Sequence, residues 1–110
     1  WIIMKLICNN KEIEIIDCKT FFSRFMGNMF KKNIARGLLF RHCNSIHTFF
    51  MKENIDVLMC DRDFKIIYYY KDLGKNRVIL PKRKVYAVIE LPVNYYSFEI
   101  GERIVIKNEG

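Results

Sequence analysis

The sequence lacks any long apolar run, although 51% of its residues are hydrophobic. A membrane-spanning helix needs about 18 or more consecutive apolar residues, and charged or polar residues interrupt every such stretch here. The opening segment WIIMKLIC is broken by Lys5, and no basic region before it or small-residue cleavage site after it marks a secretory leader. These absences predict a cytoplasmic protein, with the alternative that a leader has been lost upstream of Trp1.

Common catalytic and nucleotide-binding motifs are also absent. The chain contains no G-x-x-x-x-G-K-[ST], G-x-G-x-x-G, H-E-x-x-H or G-x-S-x-G pattern. This argues against the common P-loop, dinucleotide-binding, zinc-protease and serine-hydrolase mechanisms. We therefore predict no catalytic residues and no cofactor.

Cysteine is scarce and widely spaced. The four cysteines form no C-x-x-C pair, the spacing that zinc and redox sites commonly use. In a cytoplasmic protein, buried free thiols are expected rather than disulfides. A zinc site can be drawn from imidazoles and thiolates, but the gaps between these residues lack finger spacing, so we predict no metal site. The residues concerned are His42, Cys43, His47 and Cys60.

Size and charge indicate a basic globular domain. A chain of 110 residues can bury one core, and its 15% aromatic content is unlike that of a disordered protein. Residues 1–110 are therefore predicted to be one domain. The net charge of +7 suits a nucleic acid or an acidic partner, but an A/T-rich genome gives the same bias towards Lys, Asn, Ile, Phe and Tyr.

Short runs of β-branched and aromatic residues predict about seven strands. Met4–Cys8 and Glu12–Ile16 flank Asn9-Asn10, which is typical of a hairpin turn. Further candidate runs are GLLF, IHTFFM, IDVLMCD, FKIIYYY, RVIL, VYAVIEL and RIVI, with turns at Asp61-Arg62-Asp63 and at Gly74.

Two short helical segments complete the prediction. Thr20 can cap a helix through FFSRFM, residues 28–36 are expected to form a loop, and Asn94 can cap one turn through YYSFEI. The predicted fold class is mainly β (α+β), a compact single-domain antiparallel sheet or barrel, because closure removes exposed strand edges.

Six segments in series resemble the DUF192 family, also called UPF0127. They are SRFMG at 23–27, GLLF at 37–40, SIHTFFM at 45–51, IDVLMCD at 55–61, VIEL at 88–91 and GERI at 101–104. The chain departs from the family where members usually read Gly-Leu-Met after an arginine, and where many carry a proline-bearing pair in place of Glu53-Asn54. The resemblance implies a small β-rich domain of bacteria and archaea, found alone or behind a signal or anchor, with no established catalytic activity.

The candidate functional pocket consists of His47, Asp56 and Asp61. On a strand over 46–51, His47 shares an apolar face with Phe49 and Met51, which favours a histidine hydrogen-bonded to backbone or carboxylate. Asp56 either faces His47 across paired strands and orients its ring, or accepts loop backbone N–H groups. Asp56 and Asp61 point to opposite faces and cannot form the close carboxylate pair of a hydrolase.

A candidate basic surface follows the turns after Tyr68-Tyr69-Tyr70. Alternation predicts that the outer two tyrosines share one face and Tyr69 faces the other. Three hypotheses result: a non-enzymatic module binding a protein partner, a hydrolase or ligand-processing enzyme centred on His47 and Asp56, and nucleic-acid binding through residues 71–84. The basic residues are Lys71, Lys75, Arg77, Lys82, Arg83 and Lys84.

Overall fold

Strands dominate the computed structural model, which describes residues 2–18, 37–49, 51, 53–94 and 96–108. The strands are β1 Ile2–Cys8, β2 Lys11–Asp17, β3 Gly37–Arg41, β4 Ile46–His47, β5 Ile55–Cys60, β6 Ile66–Leu73, β7 Val78–Ile79, β8 Ala87–Pro92 and β9 Val105–Asn108. Seven of them form one mixed sheet in the order β6-β5-β8-β3-β2-β1-β9, and β4 pairs with β7 in a second, small sheet. The mainly β prediction is confirmed. The described residues contain no helix that is long and apolar enough to cross a bilayer.

The first two strands form the predicted hairpin. Cys8 lies opposite Lys11 in the antiparallel register, so the loop has two residues. Asn9 and Asn10 have φ angles of 47° and 68°. A type I′ turn needs positive φ at both central positions, and asparagine tolerates that conformation better than most residues.

One parallel pair interrupts an otherwise antiparallel sheet. β2 pairs with β3 in parallel, with Ile16 opposite Leu38, whereas the other neighbouring strands of the sheet run antiparallel. Parallel neighbours require a crossover connection, which here is residues 19–36. The helix predicted after Thr20 and the loop predicted at 28–36 fall in this connection, outside the described residues.

Backbone hydrogen bonds join the two ends of the sheet. The Ile66 N–H donates to the Glu102 carbonyl at 2.9 Å, and the Gly101 N–H donates to the Ile66 carbonyl at 2.8 Å. Residues 101–104 lead directly into β9, which pairs with β1. These bonds hold the segment that precedes β9 against β6, at the opposite edge of the seven-stranded sheet.

The central strands are buried on both faces, which explains their near-continuous apolar sequences. Side chains of one face fill an inner core that includes Leu6, Leu58 and Ile89. Those of the opposite face form an outer core that includes Val57 and Val88. Strands β3, β8 and β5 thus contribute to two apolar layers.

The strand predicted over residues 46–51 is wrong beyond His47. The Thr48 hydroxyl donates to the Gly74 carbonyl at 2.7 Å and accepts from the Arg77 N–H at 2.8 Å. The Met51 N–H donates to the Thr48 carbonyl at 3.3 Å. Because the chain turns here, Met51 is buried instead of sharing a face with His47.

The helical turn predicted in YYSFEI is also wrong, since residues 96–99 have no regular structure. Phe98 is buried in the inner core and meets the Tyr69 ring edge-on, with centroids 5.9 Å apart. The Tyr69 hydroxyl donates to the Tyr96 carbonyl at 3.3 Å. These tertiary contacts override the local preference for a helical turn.

Candidate functional site

His47 lies on the small sheet, with its side chain exposed. Its ring stacks on Phe49, with centroids 5.1 Å apart and planes at 29°. The expected side-chain hydrogen bond to backbone or carboxylate does not occur among the described residues. His47 also borders a cavity of about 140 Å³ between Phe40 and the buried Glu90.

Asp56 lies at the start of β5 and is 1% exposed. One carboxylate oxygen accepts the Asp72 N–H at 2.8 Å, and the other accepts the Asn94 N–H at 3.0 Å. The carboxylate therefore ties the end of β6 and the turn after β8 to the central sheet. Of the two arrangements considered for Asp56, this is the one in which it accepts loop backbone N–H groups.

Asp61 shapes the turn between β5 and β6. A single carboxylate oxygen accepts the N–H groups of Asp63 at 2.9 Å and Lys65 at 3.0 Å. This is an Asx-type turn, in which the aspartate side chain replaces a backbone acceptor. Asp61, Asp56 and His47 thus have separate partners, and no hydrogen bond joins any two of them.

All four cysteines are free thiols, as predicted. Cys60 is fully buried, and burial, with smaller contributions from Asp61 and Cys8, raises its pKa to about 12. Burial also raises the pKa of Cys8. The half-buried Cys43 donates its thiol proton to the Ser45 carbonyl at 3.2 Å. Metal binding and nucleophilic attack both need the thiolate, which these environments disfavour at Cys8 and Cys60.

The predicted basic surface divides into two groups. Lys71, Lys75 and Arg77 are exposed at the end of β6 and on the turn to β7. The second group follows β7. Its Lys82 ammonium lies 5.4 Å from the centre of the Tyr68 ring, and its Lys84 lines a separate cleft at the end of the sheet.

The tyrosines of β6 alternate as predicted. Tyr69 packs against the inner core, and Tyr68 and Tyr70 lie on the opposite face with nearly parallel rings 6.4 Å apart. Tyr70 packs against the outer core, while Tyr68 is 38% exposed.

The small sheet exposes apolar side chains that the sequence prediction did not identify. It places Ile46 and Ile79 against the outer core and turns His47 and Val78, which pair across the strands, towards solvent. Val78 is 54% exposed, the following Leu80 is 69% exposed, and Phe49 is 40% exposed. The alternation in RVIL, with Ile79 facing inwards, was the signal that could have revealed them. We call the residues His47, Phe49, Val78 and Leu80 the outer patch.

Comparison with known sequences identifies close relatives of the chain. The model of the DUF192 family, described as uncharacterised ACR, COG1430, matches residues 4–106. A UPF0127 protein of Thermococcus sibiricus is 36% identical over 97 residues, which cover 77% of this chain and 60% of that protein. UPF0127 protein PH1112 of Pyrococcus horikoshii is 37% identical over 87 residues, or 74% of this chain and 72% of that protein. The chain thus spans about three fifths of the first relative.

Two crystal structures share the fold at low sequence identity. A protein of unknown function from Novosphingobium aromaticivorans matches with a TM-score of 0.73 and 12% identity, over 94% of this chain and 83% of that one. A Sinorhizobium meliloti protein, described as a proposed transcription regulator, matches with a TM-score of 0.76 and 16% identity, over 96% and 92% of the two chains. At these identities the likeness shows the fold alone. The match of the family model and the relatives at 36–37% identity show that the chain belongs to the uncharacterised DUF192 (UPF0127) family.

Proposed function

We propose that this domain is a non-enzymatic binding module that engages a protein partner through the outer patch. The observation that carries the proposal is the exposure of Val78, on the two-stranded sheet, and of Leu80, directly after its second strand, at 54% and 69%. Single exposed apolar residues are common, but a contiguous group of them is typical of an interaction surface.

The charge around the outer patch defines the chemistry of the partner. Arg77 precedes Val78, and Lys82 and Arg83 follow Leu80 closely in the chain. Interfaces commonly have an apolar centre and a polar rim, and complementary charge on the rim steers association. An apolar segment flanked by acidic residues fits this surface.

His47 and Asp56 have different contact partners. This favours a binding function over the alternative of a hydrolase or ligand-processing enzyme. Both oxygens of Asp56 accept backbone N–H groups, and His47 stacks on Phe49 in the other sheet. General acid–base catalysis needs its groups within hydrogen-bond reach of one substrate. Within the part of the chain that the structure describes, no hydrogen bond joins these two residues to each other.

The tyrosines give nucleic-acid binding less support than a protein partner. Single-stranded nucleic acids stack their bases on accessible aromatic faces, but Tyr70 is packed against the outer core and Lys82 lies over the Tyr68 ring. A cytoplasmic location stays a prediction.

The proposal is tested by capturing partners from extracts of the source organism, purifying a captured protein and measuring its Kd by calorimetry. The double variant Val78→Ser/Leu80→Ser removes the apolar centre and should lose about 3 kcal/mol, or roughly 100-fold in affinity. The matched control is Ile100→Ser/Val105→Ser, since these exposed residues (60% and 46%) lie outside the outer patch. Unchanged affinity in the first variant would refute the proposal. Steeply salt-dependent binding of a single-stranded oligonucleotide would instead favour the nucleic-acid hypothesis.

A further inference from the structure

A polar cleft of about 580 Å³ opens at one end of the main sheet. Its walls come from three connections: residues 42–44 after β3, residues 61–63 after β5 and residues 84–86 before β8. We call it the terminal cleft. Its volume falls within the range of about 300–1,000 Å³ that is usual for small-molecule sites.

Backbone hydrogen bonds fix the walls of the terminal cleft. The Tyr86 N–H donates to the Cys60 carbonyl at 2.8 Å, and the Tyr86 carbonyl accepts the Cys43 N–H at 3.0 Å. The Lys82 N–H donates to the Asn44 carbonyl at 3.1 Å, and Asp61 holds the third wall through its Asx turn. A binding site gains affinity when its groups are held in place before the ligand arrives.

Two cations in the terminal cleft have no carboxylate partner among the described residues. The Arg62 guanidinium lies over the Tyr86 ring, 5.2 Å from its centre. Neither Arg62 nor Lys84 forms an ion pair within the part of the chain that the structure describes, although Asp61 and Asp63 border the same cleft. A guanidinium that contacts an aromatic face through its π-system can still donate two parallel N–H bonds to an oxyanion.

Two residues of the terminal cleft adopt a backbone conformation that glycine adopts more readily. His42 and Lys84 have φ angles of 54° and 71°. Few residues other than glycine adopt this conformation, and lysine does so less often than histidine, asparagine or aspartate. The His42 Nε2 and the Tyr86 hydroxyl are 3.5 Å apart. These polar groups lie in the same cleft as the two cations.

We propose that the terminal cleft binds a small-molecule oxyanion, a carboxylate or a phosphate group, between Arg62 and Lys84. The guanidinium fork supplies a bidentate contact, the ammonium supplies the second charge, and the Tyr86 hydroxyl and His42 ring border the remaining oxygen. This site is separate from the outer patch, so the proposal does not depend on the proposed function.

The two histidines of the chain provide one reporter for each surface. His42 lines the terminal cleft, and His47 belongs to the outer patch. We would titrate the isotope-labelled protein with acetate, and separately with inorganic phosphate, at constant pH and ionic strength with chloride as the balancing ion. The ring resonance of His42 should shift saturably while that of His47 stays in place, and the tighter of the two anions identifies the chemistry preferred.

Variants connect the shift to the proposed contacts. Arg62→Ala should weaken binding of the preferred anion at least tenfold, whereas Arg103→Ala, at an exposed cation on the bridge to Lys65, should leave it within about twofold. Lys84→Gly should also lose binding, without lowering the melting temperature, because glycine accommodates positive φ.

Three results would overturn the proposal: no saturable shift of His42 up to about 50 mM of either anion, equal shifts of both histidines, or unchanged affinity in Arg62→Ala. If anion binding fails these tests, the proposed partner binding of the outer patch is still tested independently, because that test measures the affinity of the Val78 and Leu80 variants.

Discussion

Replacing Asp56 tests whether this buried carboxylate holds the loops of the main sheet together. Asp56→Ala removes two hydrogen bonds to a charged acceptor, the 2.8 Å bond from the Asp72 N–H and the 3.0 Å bond from the Asn94 N–H. Bonds of this type contribute about 1.5–3 kcal/mol each. Asp72 and Asn94 are exposed residues, so water can replace part of the loss, and we expect a decrease of about 3 kcal/mol in the free energy of unfolding.

Asp56→Asn separates the role of the charge from that of the shape. The amide keeps one acceptor oxygen but turns an NH₂ group towards the second backbone donor, so about half of the loss, roughly 1.5–2 kcal/mol, is expected. For a domain of this size, about 3 kcal/mol lowers the melting temperature by about 12–18 °C.

Urea and thermal unfolding followed by circular dichroism would measure the series, with two matched aspartates as references. Asp61→Ala removes two bonds from a more exposed turn and should cost about 1 kcal/mol. Asp63→Ala, whose side chain makes no hydrogen bond with the described residues, should leave the unfolding curve unchanged. A loss of less than about 0.5 kcal/mol in Asp56→Ala would refute the assignment of Asp56 as a structural acceptor and reopen the pocket hypothesis.

Two further predictions concern the core. In Gly37→Ala the new Cβ would lie 2.7 Å from a Leu91 methyl group and 2.8 Å from an Ile15 methyl group, so overpacking should cost about 1–3 kcal/mol in urea unfolding. Gly74→Ala is the control, since its nearest neighbour would be 3.9 Å away, and equal stability in the two variants would contradict the close approach at Gly37. Because the pKa of Cys60 rises from 9.0 in the unfolded chain to about 12 in the folded one, its contribution to stability is complete below pH 9 and declines as the pH rises from 9 to 12. Cys60→Ala should therefore show a weaker decline than the unmodified protein over this interval, and parallel curves would argue against a neutral buried thiol.

Local patterns in the sequence predicted the elements whose signals are local. The hairpin at Asn9-Asn10 and the Asx turn at Asp61 follow from side chains that favour those backbone conformations by themselves. The strand at IDVLMCD follows from its length and apolar character. The family resemblance was likewise readable because its motifs occur in order along the chain.

Features that depend on distant partners were not predicted. The parallel pairing of β2 with β3 requires knowledge of where the chain returns after residue 36. The strand over 46–51 ended early because Thr48 bonds to Gly74 and Arg77, which are distant in sequence. The terminal cleft was not predicted for the same reason. Arg62 lies on a connection distant in sequence from Lys84 and Tyr86, and the periodicity of a sequence does not show which connections meet.

The pairing of β1 with β9 has a consequence for the order of folding. Met4 lies opposite Asn108, so the outer edge of β1 stays unpaired until about a hundred further residues have been synthesised. During that interval the hairpin of β1 and β2 presents an open edge, and pairings between positions so far apart in sequence form slowly. Nascent chains stalled before residue 105 should therefore need protection by chaperones, and release of that protection should coincide with the synthesis of β9.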